Sequence, residues 1–190
     1  MALFSNIDLA TAEVRVGALG ATAKAKLAPI MVDGKPFRVQ LATVDAPLTP
    51  LFPFRAYQDE AATRVSAVLR VPQELESWLG ALEQKVGEQL VGRTDLVKQA
   101  GVKEVAAQLS SCVRQGQSAK FKLNKAGMRP CKVWNTKHEE TTMPEDMRGV
   151  PCVPIAEARC LWMSGAGWGV AWEITDILIL DDQAGRCPFA

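Results

Sequence analysis

Apolar and polar residues alternate with a period of two over much of this chain, and each alternating run predicts a strand with one face turned inward. In KPFRVQLATV (35–44), Phe37, Val39 and Leu41 alternate with Arg38, Gln40 and Ala42. Residues 12–19 and RVSAVLRV (64–71) read as further strands. In AKFKLNK (119–125), Ala119, Phe121 and Leu123 face one way while Lys120, Lys122 and Asn124 face the other, so two lysines share the polar face. CKVWN (131–135) repeats the pattern and sets Lys132 and Trp134 opposite Cys131 and Val133.

The longest such region is GVPCVPIAEARCLWMSGAGWGVAWEITDILIL (149–180), which holds three of the five tryptophans. Two strand-like halves flank SGAGWG, whose glycines give a turn its conformational freedom, so a long terminal β-hairpin is predicted. Val170, Trp172 and Ile174 alternate with Ala171, Glu173 and Thr175, and the closing ILIL predicts cover on both faces. Trp172 is expected in the core against a helix, near Trp78. Trp168 lies in the turn, where burial is hard to arrange, and is a candidate ligand contact. Trp162 fits either use.

The period changes to that of a helix after Pro72. QELESWLGALEQKVGEQL (73–90) places Leu75, Trp78, Leu79, Leu82, Val86 and Leu90 on one stripe, with acids early in the helix. A short helix after a Thr94 cap and a third over 102–112, with Val105 and Leu109 inward, extend a helical insertion to about residues 73–112. Pro47, Pro50 and Pro53 keep residues 45–60 extended, as a surface segment whose Phe52, Phe54 and Tyr57 either pack on the core or meet a ligand. HEETTMPEDMRG (138–149) reads as a mobile linker. The sum is one α+β domain over residues 1–190: a small OB-like antiparallel β-barrel with a helical insertion, a long C-terminal β-hairpin and a short flexible end at 181–190.

Composition narrows the function more by exclusion than by pointing. With 48% hydrophobic and 23% charged residues the chain has a globular balance, and it lacks both a bilayer-length apolar run and a signal-peptide pattern, so an intracellular, soluble protein is expected. Cys112, Cys131, Cys152, Cys160 and Cys187 contain no CxxC pair, and His138 is the only histidine. Those residues predict neither a zinc site nor a disulfide framework, and they leave little for acid–base catalysis. No Walker, GxGxxG, GxSxG or HExxH sequence is present. The expectation is a non-enzyme with no metal and no cofactor.

The net charge of +1 conceals a basic strip. Residues 113–138 carry Arg114, Lys120, Lys122, Lys125, Arg129, Lys132 and Lys137 and no acid. Cations also recur beside aromatics: Arg38 by Phe37, Arg55 by Phe54 and Tyr57, Lys120 and Lys122 about Phe121, Lys132 before Trp134. Single-stranded nucleic acid is bound by that combination, since cations follow the phosphates and aromatic rings stack on unpaired bases.

The order of parts resembles the OB-fold single-stranded DNA-binding proteins of short-tailed phages and related proteins of large DNA viruses. KPFRVQLATVDAP, AKFKLNK and the 148–180 stretch RGVPCV…DILIL carry the similarity, over roughly residues 35–180. It implies a protein that coats single strands in replication, recombination or repair, with Lys120, Lys122 and Lys132 on phosphates and Trp134, with Phe54 or Tyr57, stacking. Lys125, Arg129, Arg38, Arg55 and Trp168 complete the candidate binding set. Single-stranded DNA is the expected partner, with RNA open, a homo-oligomer open, and no membrane. Such proteins commonly end in a long acidic tail that recruits replication proteins; here LDDQAGRCPFA offers two acids and a Pro188–Phe189 tip. The competing reading is a protein-interaction or structural β-domain with no nucleic-acid role.

Overall fold

The computed structural model of the chain describes residues 2–21, 26–54, 62–115 and 117–180. Short strands come first: β1 (Val14–Val16), β2 (Gly20–Ala21), β3 (Lys26–Ala28), β4 (Ile30–Val32), β5 (Lys35–Pro36), β6 (Arg38–Gln40) and β7 (Thr49–Pro50). β8 (Arg64–Arg70) leads into α1 (Gln73–Val91) and α2 (Thr94–Ala100). Then come β9 (Val113–Arg114), β10 (Ser118–Asn124), β11 (Lys132–Trp134) and β12 (Glu140–Thr141), followed by the two long strands β13 (Cys152–Ser164) and β14 (Gly167–Ile179).

β13 and β14 pair antiparallel from Cys152–Ile179 to Ser164–Gly167, with register shifts after Ile155 and Ala158. Such irregularities bend a ribbon and increase its twist. On its other edge β14 is paired in parallel, first by β10 (Lys122 opposite Glu173) and then by β11 (Lys132 opposite Asp176). The expectation of an antiparallel sheet fails here. β10 and β11 are one strand path interrupted by an excursion of residues 125–130, pinched shut where the Cys131 N–H donates to the Asn124 carbonyl at 2.7 Å. The chain therefore resumes along the same edge instead of reversing.

The large sheet runs β2-β3-β13-β14-β10-β8-β7, and β1, β4 and β5 form a separate small sheet. Among the described residues the sheet does not close into the expected OB-like barrel, because the path ends at β2 and β7. Leu48, just before β7, exchanges both backbone hydrogen bonds with Cys152 of β13 at 2.9 Å, a single bridge where a closed barrel needs a continuous ladder. Among the described residues the fold is mixed α+β, with two α-helices and a large sheet.

α1 covers the inner face of this sheet. It buries Leu75, Leu79, Leu82, Val86 and Leu90, and Trp78 reaches the expected aromatic partner, Trp172, at 6.2 Å between ring centroids. Phe37 stacks on Trp78 at 5.8 Å, Phe4 meets it edge-on at 5.9 Å, and Phe121 of β10 lies 6.5 Å from Trp172. Offset and edge-on aromatic pairs of this kind add about 0.5–1.5 kcal/mol each beyond the area they bury. Among the described residues no helix is long and apolar enough to cross a membrane.

Several local expectations change. Thr94 is the first residue of α2, and Arg93 holds the cap position. No third helix forms: residues 105–108 make a turn, because the next stretch is drawn to the start of β14, where Trp168 N–H donates to Gln108 and Ser110 N–H donates to Trp168. The helical insertion thus ends at Ala100. The proline-rich segment is not wholly on the surface. Leu48, Pro50 and Phe54 are buried, while Asp45, Ala46 and Phe52 are exposed, Phe52 by 59%. The 138–149 stretch is not a free linker, since Thr141 pairs with Val133 and Met147 is fully buried. In the closing ILIL, Ile177 and Ile179 are buried while Leu178 and Leu180 are half-buried.

Trp172→Ala is expected to cost about 3–5 kcal/mol of unfolding free energy, as a large aromatic removed from a closed core does. Trp162→Ala, on the opposite face, should cost under about 1 kcal/mol. Urea denaturation followed by circular dichroism separates the two.

Candidate nucleic-acid interface

Strand alternation fixes which side chains share the face turned away from α1. Residues directly opposed across a ladder point the same way. Lys122 opposes Ser66 and Glu173, Glu173 opposes Glu157, and Glu157 opposes Arg38. One row of side chains therefore crosses β8, β10, β14, β13 and β6. Trp162, opposite Gly169 and Leu27, and Lys132, opposite Asp176, lie on the same outer face.

On one side of that row a cavity of about 420 Å³ is bordered by Arg64, Arg114, Lys120, Lys122, Cys160 and Trp162. Among the described residues neither Lys120 nor Lys122 pairs with an acid; Lys122 only donates from Nζ to Ser66 Oγ at 3.2 Å. Partial burial, and then the charges of Lys120 and Arg64, hold the Lys122 pKa below the usual lysine value. Cations that repel one another and lack a counter-charge make a site for an anion. Trp162 is half-buried and laid close over Gly169, where a Cβ would stand 3.0 Å from the indole nitrogen and 2.5 Å from the Ser110 carbonyl. Only glycine lets the ring and that carbonyl approach the strand together.

The 110–112 segment beside this cavity is tied to α1 by a buried acid. Ser111 Oγ donates to Glu83 Oε2 at 2.5 Å and the Cys112 N–H donates to Glu83 Oε1 at 2.8 Å. Burial raises the Glu83 pKa, opposed by those hydrogen bonds and by the charge of Arg114. It also pushes the Cys112 thiol well above its usual range, so that cysteine stays protonated and unreactive.

A second cationic group lies along β11. Trp134 Nε1 donates to Asp176 Oδ1 at 3.2 Å, Arg38 pairs with the same carboxylate, and Lys132 Nζ sits 5.6 Å above the Trp134 ring. Glu140 draws Lys132 as well, at 3.6 Å. Arg38, Lys132, Trp134 and Asp176 border, with Arg129 and Pro130, an open hollow of about 500 Å³.

Between the two groups sits a compensated network. Glu173, its side chain 9% exposed, accepts from Asn124 Nδ2 at 3.1 Å and pairs with Arg64 at 3.4 Å and Arg159 at 4.0 Å. Arg159 also pairs with Glu157 at 2.7 Å.

The candidate residues thus divide. Lys120 and Lys122 come together at the first cavity, and Arg38, Arg129, Lys132 and Trp134 at the second. Lys125 is exposed on the 125–130 excursion and borders neither. Phe54 and Trp168 are each only 2% exposed and so present no open ring face. The Trp168 ring, expected in an open turn, is covered by the 105–109 segment, and its Nε1 donates to the Val105 carbonyl at 2.6 Å. Arg55 and Tyr57 lie outside the described residues. The sequence reading missed Arg64 and Arg159. The parity of RVSAVLRV already put Arg64 on the polar face, but nothing local announced which strand would lie beside β10.

No family model and no curated protein matches the chain. Among solved structures it is similar to the single-stranded DNA-binding protein from bacteriophage Enc34, in a C-terminally truncated form, with 12% identity and a TM-score of 0.46 over 88% of this chain and 96% of that one. It is also similar to gp2.5, a single-stranded DNA-binding protein encoded by bacteriophage T7, with 11% identity and a TM-score of 0.48 over 90% of this chain and 87% of that one.

Glu83 yields a pH test. A carboxyl whose pKa rises on folding contributes stability that is full below its unfolded value and is lost as pH climbs through the folded one. Between pH 4.5, the ordinary value, and neutrality, the wild type should therefore lose stability relative to Glu83→Gln, which keeps an acceptor for the Cys112 N–H. Urea melts of both proteins across that window check the sign; parallel curves would contradict it.

Proposed function

We propose that this chain is a non-catalytic protein that binds single-stranded DNA with little regard to sequence. The observation that carries the reading is the uncompensated Lys120–Lys122 pair beside Arg64, Arg114 and the partly exposed Trp162, on the outer face of the sheet. Lysines there meet phosphates, and Trp162 and Trp134 offer ring faces to unpaired bases. The open sheet, tied back by the Leu48–Cys152 bridge, serves as an OB-like platform on which a strand lies. Coating and protecting exposed strands during replication, recombination or repair is the role that such binding fits. Recruitment of replication proteins through Pro188 and Phe189 belongs to the same proposal and rests on sequence alone.

A different observation favours protein docking as a second reading. Val91, 67% exposed, borders an apolar hollow of about 320 Å³ with Val105, Ala106, Leu109 and Trp168, on the helical side of the molecule.

Labelled poly-dT of about thirty nucleotides, titrated at several salt concentrations, tests the first reading. Binding should weaken with salt, and Lys120→Ala/Lys122→Ala should lower the log–log salt slope by roughly 1.4, about 0.7 for each single-strand phosphate that is no longer neutralised. Absence of binding at low salt, or a double variant with wild-type affinity and slope, would contradict the assignment. Bound oligonucleotide should also quench tryptophan emission through Trp162 and Trp134, so Trp134→Phe/Trp162→Phe should abolish most of the quenching while Trp78, Trp168 and Trp172 keep emitting.

A further inference from the structure

We infer that the outer face divides its labour by charge compensation: the lysines take phosphates, while Arg64 and Arg159 are held by Glu173 and Glu157 as flat platforms for bases. The inference rests on the single-strand reading above and deepens it. Its ground is an asymmetry among the cations. Arg159 pairs with Glu157 at 2.7 Å and lies 4.0 Å from Glu173, and Arg64 pairs with Glu173 at 3.4 Å. Lys120 and Lys122 have no acid partner among the described residues and instead repel each other.

An arginine already paired with a carboxylate has little to gain from a phosphate, which would bring a second negative charge to a neutral pair. Its guanidinium plane remains available. Arg64 and Arg159 keep 53% and 33% of their side chains exposed, whereas the Glu173 and Glu157 side chains beneath them are only 9% and 18% exposed. Carboxylates below and guanidiniums above form a neutral, fixed surface in the middle of the face, and planar guanidiniums stack on unpaired bases. The network joins side chains from β8, β10, β13 and β14, so Asn124 and Glu173 act as positioning residues that keep the two planes in place. A strand crossing the sheet then sets its phosphates over the lysines of β10 and turns its bases toward Trp162 and the arginine pair.

Arg159→Lys and Arg64→Lys separate plane from charge. Each keeps its positive charge and its nearby acid, and each loses the planar fork. Measured with the same labelled poly-dT, each should weaken binding by roughly fivefold or more, the scale of one base-stacking interaction, with the salt slope unchanged. Lys120→Ala in the same series should reduce the slope. Thermal melts of all variants verify folding, and agreement between the two arginine variants guards against a local defect in one. Wild-type affinity in both lysine-for-arginine variants overturns the platform assignment, as does a slope reduced by about 0.7, which would make the arginines phosphate ligands. If the wild type fails to bind single strands at low salt, the functional reading itself falls, an outcome distinct from either of these.

Discussion

β14 is paired along its whole length on one edge by β13 and from Glu173 to Leu178 on the other by β10 and β11, and the placing of the rest follows from that. A strand fixed on both edges cannot slip by one residue without turning Trp172 and Ile174 outward and Ala171 and Glu173 inward. Trp172 is the residue that makes such a slip costly. Its ring is buried among Trp78, Phe37 and Phe121, joining helix, early strands and basic strand in a single cluster. With the inner face locked, the outer face is locked as well, and Glu173 is delivered to the centre of the cationic surface.

That surface owes its character to where the acids are, more than to how many cations there are. Glu157, Glu173 and Asp176 each stand beside an arginine, and Asp176 also orients Trp134. Among the described residues the lysines of β10 make no ion pair, although Glu173 stands opposite Lys122 in the ladder and is taken up by Arg64 and Arg159. A nearly neutral chain can therefore present a local, uncompensated charge, because its acids are spent on fixing arginines and on the far helix. Glu83 shows another use of an acid in the same molecule, as a buried acceptor that ties the cavity's edge to α1.

Period-two patterning alone made the inner and outer faces of β6, β10 and β11 legible, and the stripe on α1 named its buried apolar residues and its approach to Trp172, though not the buried Glu83. What stayed hidden was pairing. An antiparallel sheet is expected, whereas β10 and β11 both run parallel to β14, and the Cys131–Asn124 hydrogen bond closes the excursion between them. The same limit explains Trp168. Its glycine-rich neighbourhood suggested exposure, yet residues 108–110, read as helix, pair with its backbone and the 105–109 segment covers its ring. Phe54 likewise sits on a proline-rich segment that local rules place at the surface, while tertiary packing draws it in. Arg64 and Arg159 come beside Glu173 only because β8 and β13 flank the β10–β14 pair, a long-range outcome that no local window contains.

The central claim is that a single strand lies across the outer face, over Trp162 and Trp134 and away from the buried tryptophans. Ultraviolet cross-linking of the protein to oligo-dT, with the modified peptides identified by mass spectrometry, tests it most directly. Cross-links at Trp162, at Trp134 and within β10 are expected. Cross-links confined to α1 and the 105–109 segment, with none on the outer face, would contradict the claim and move the interface to the helical side.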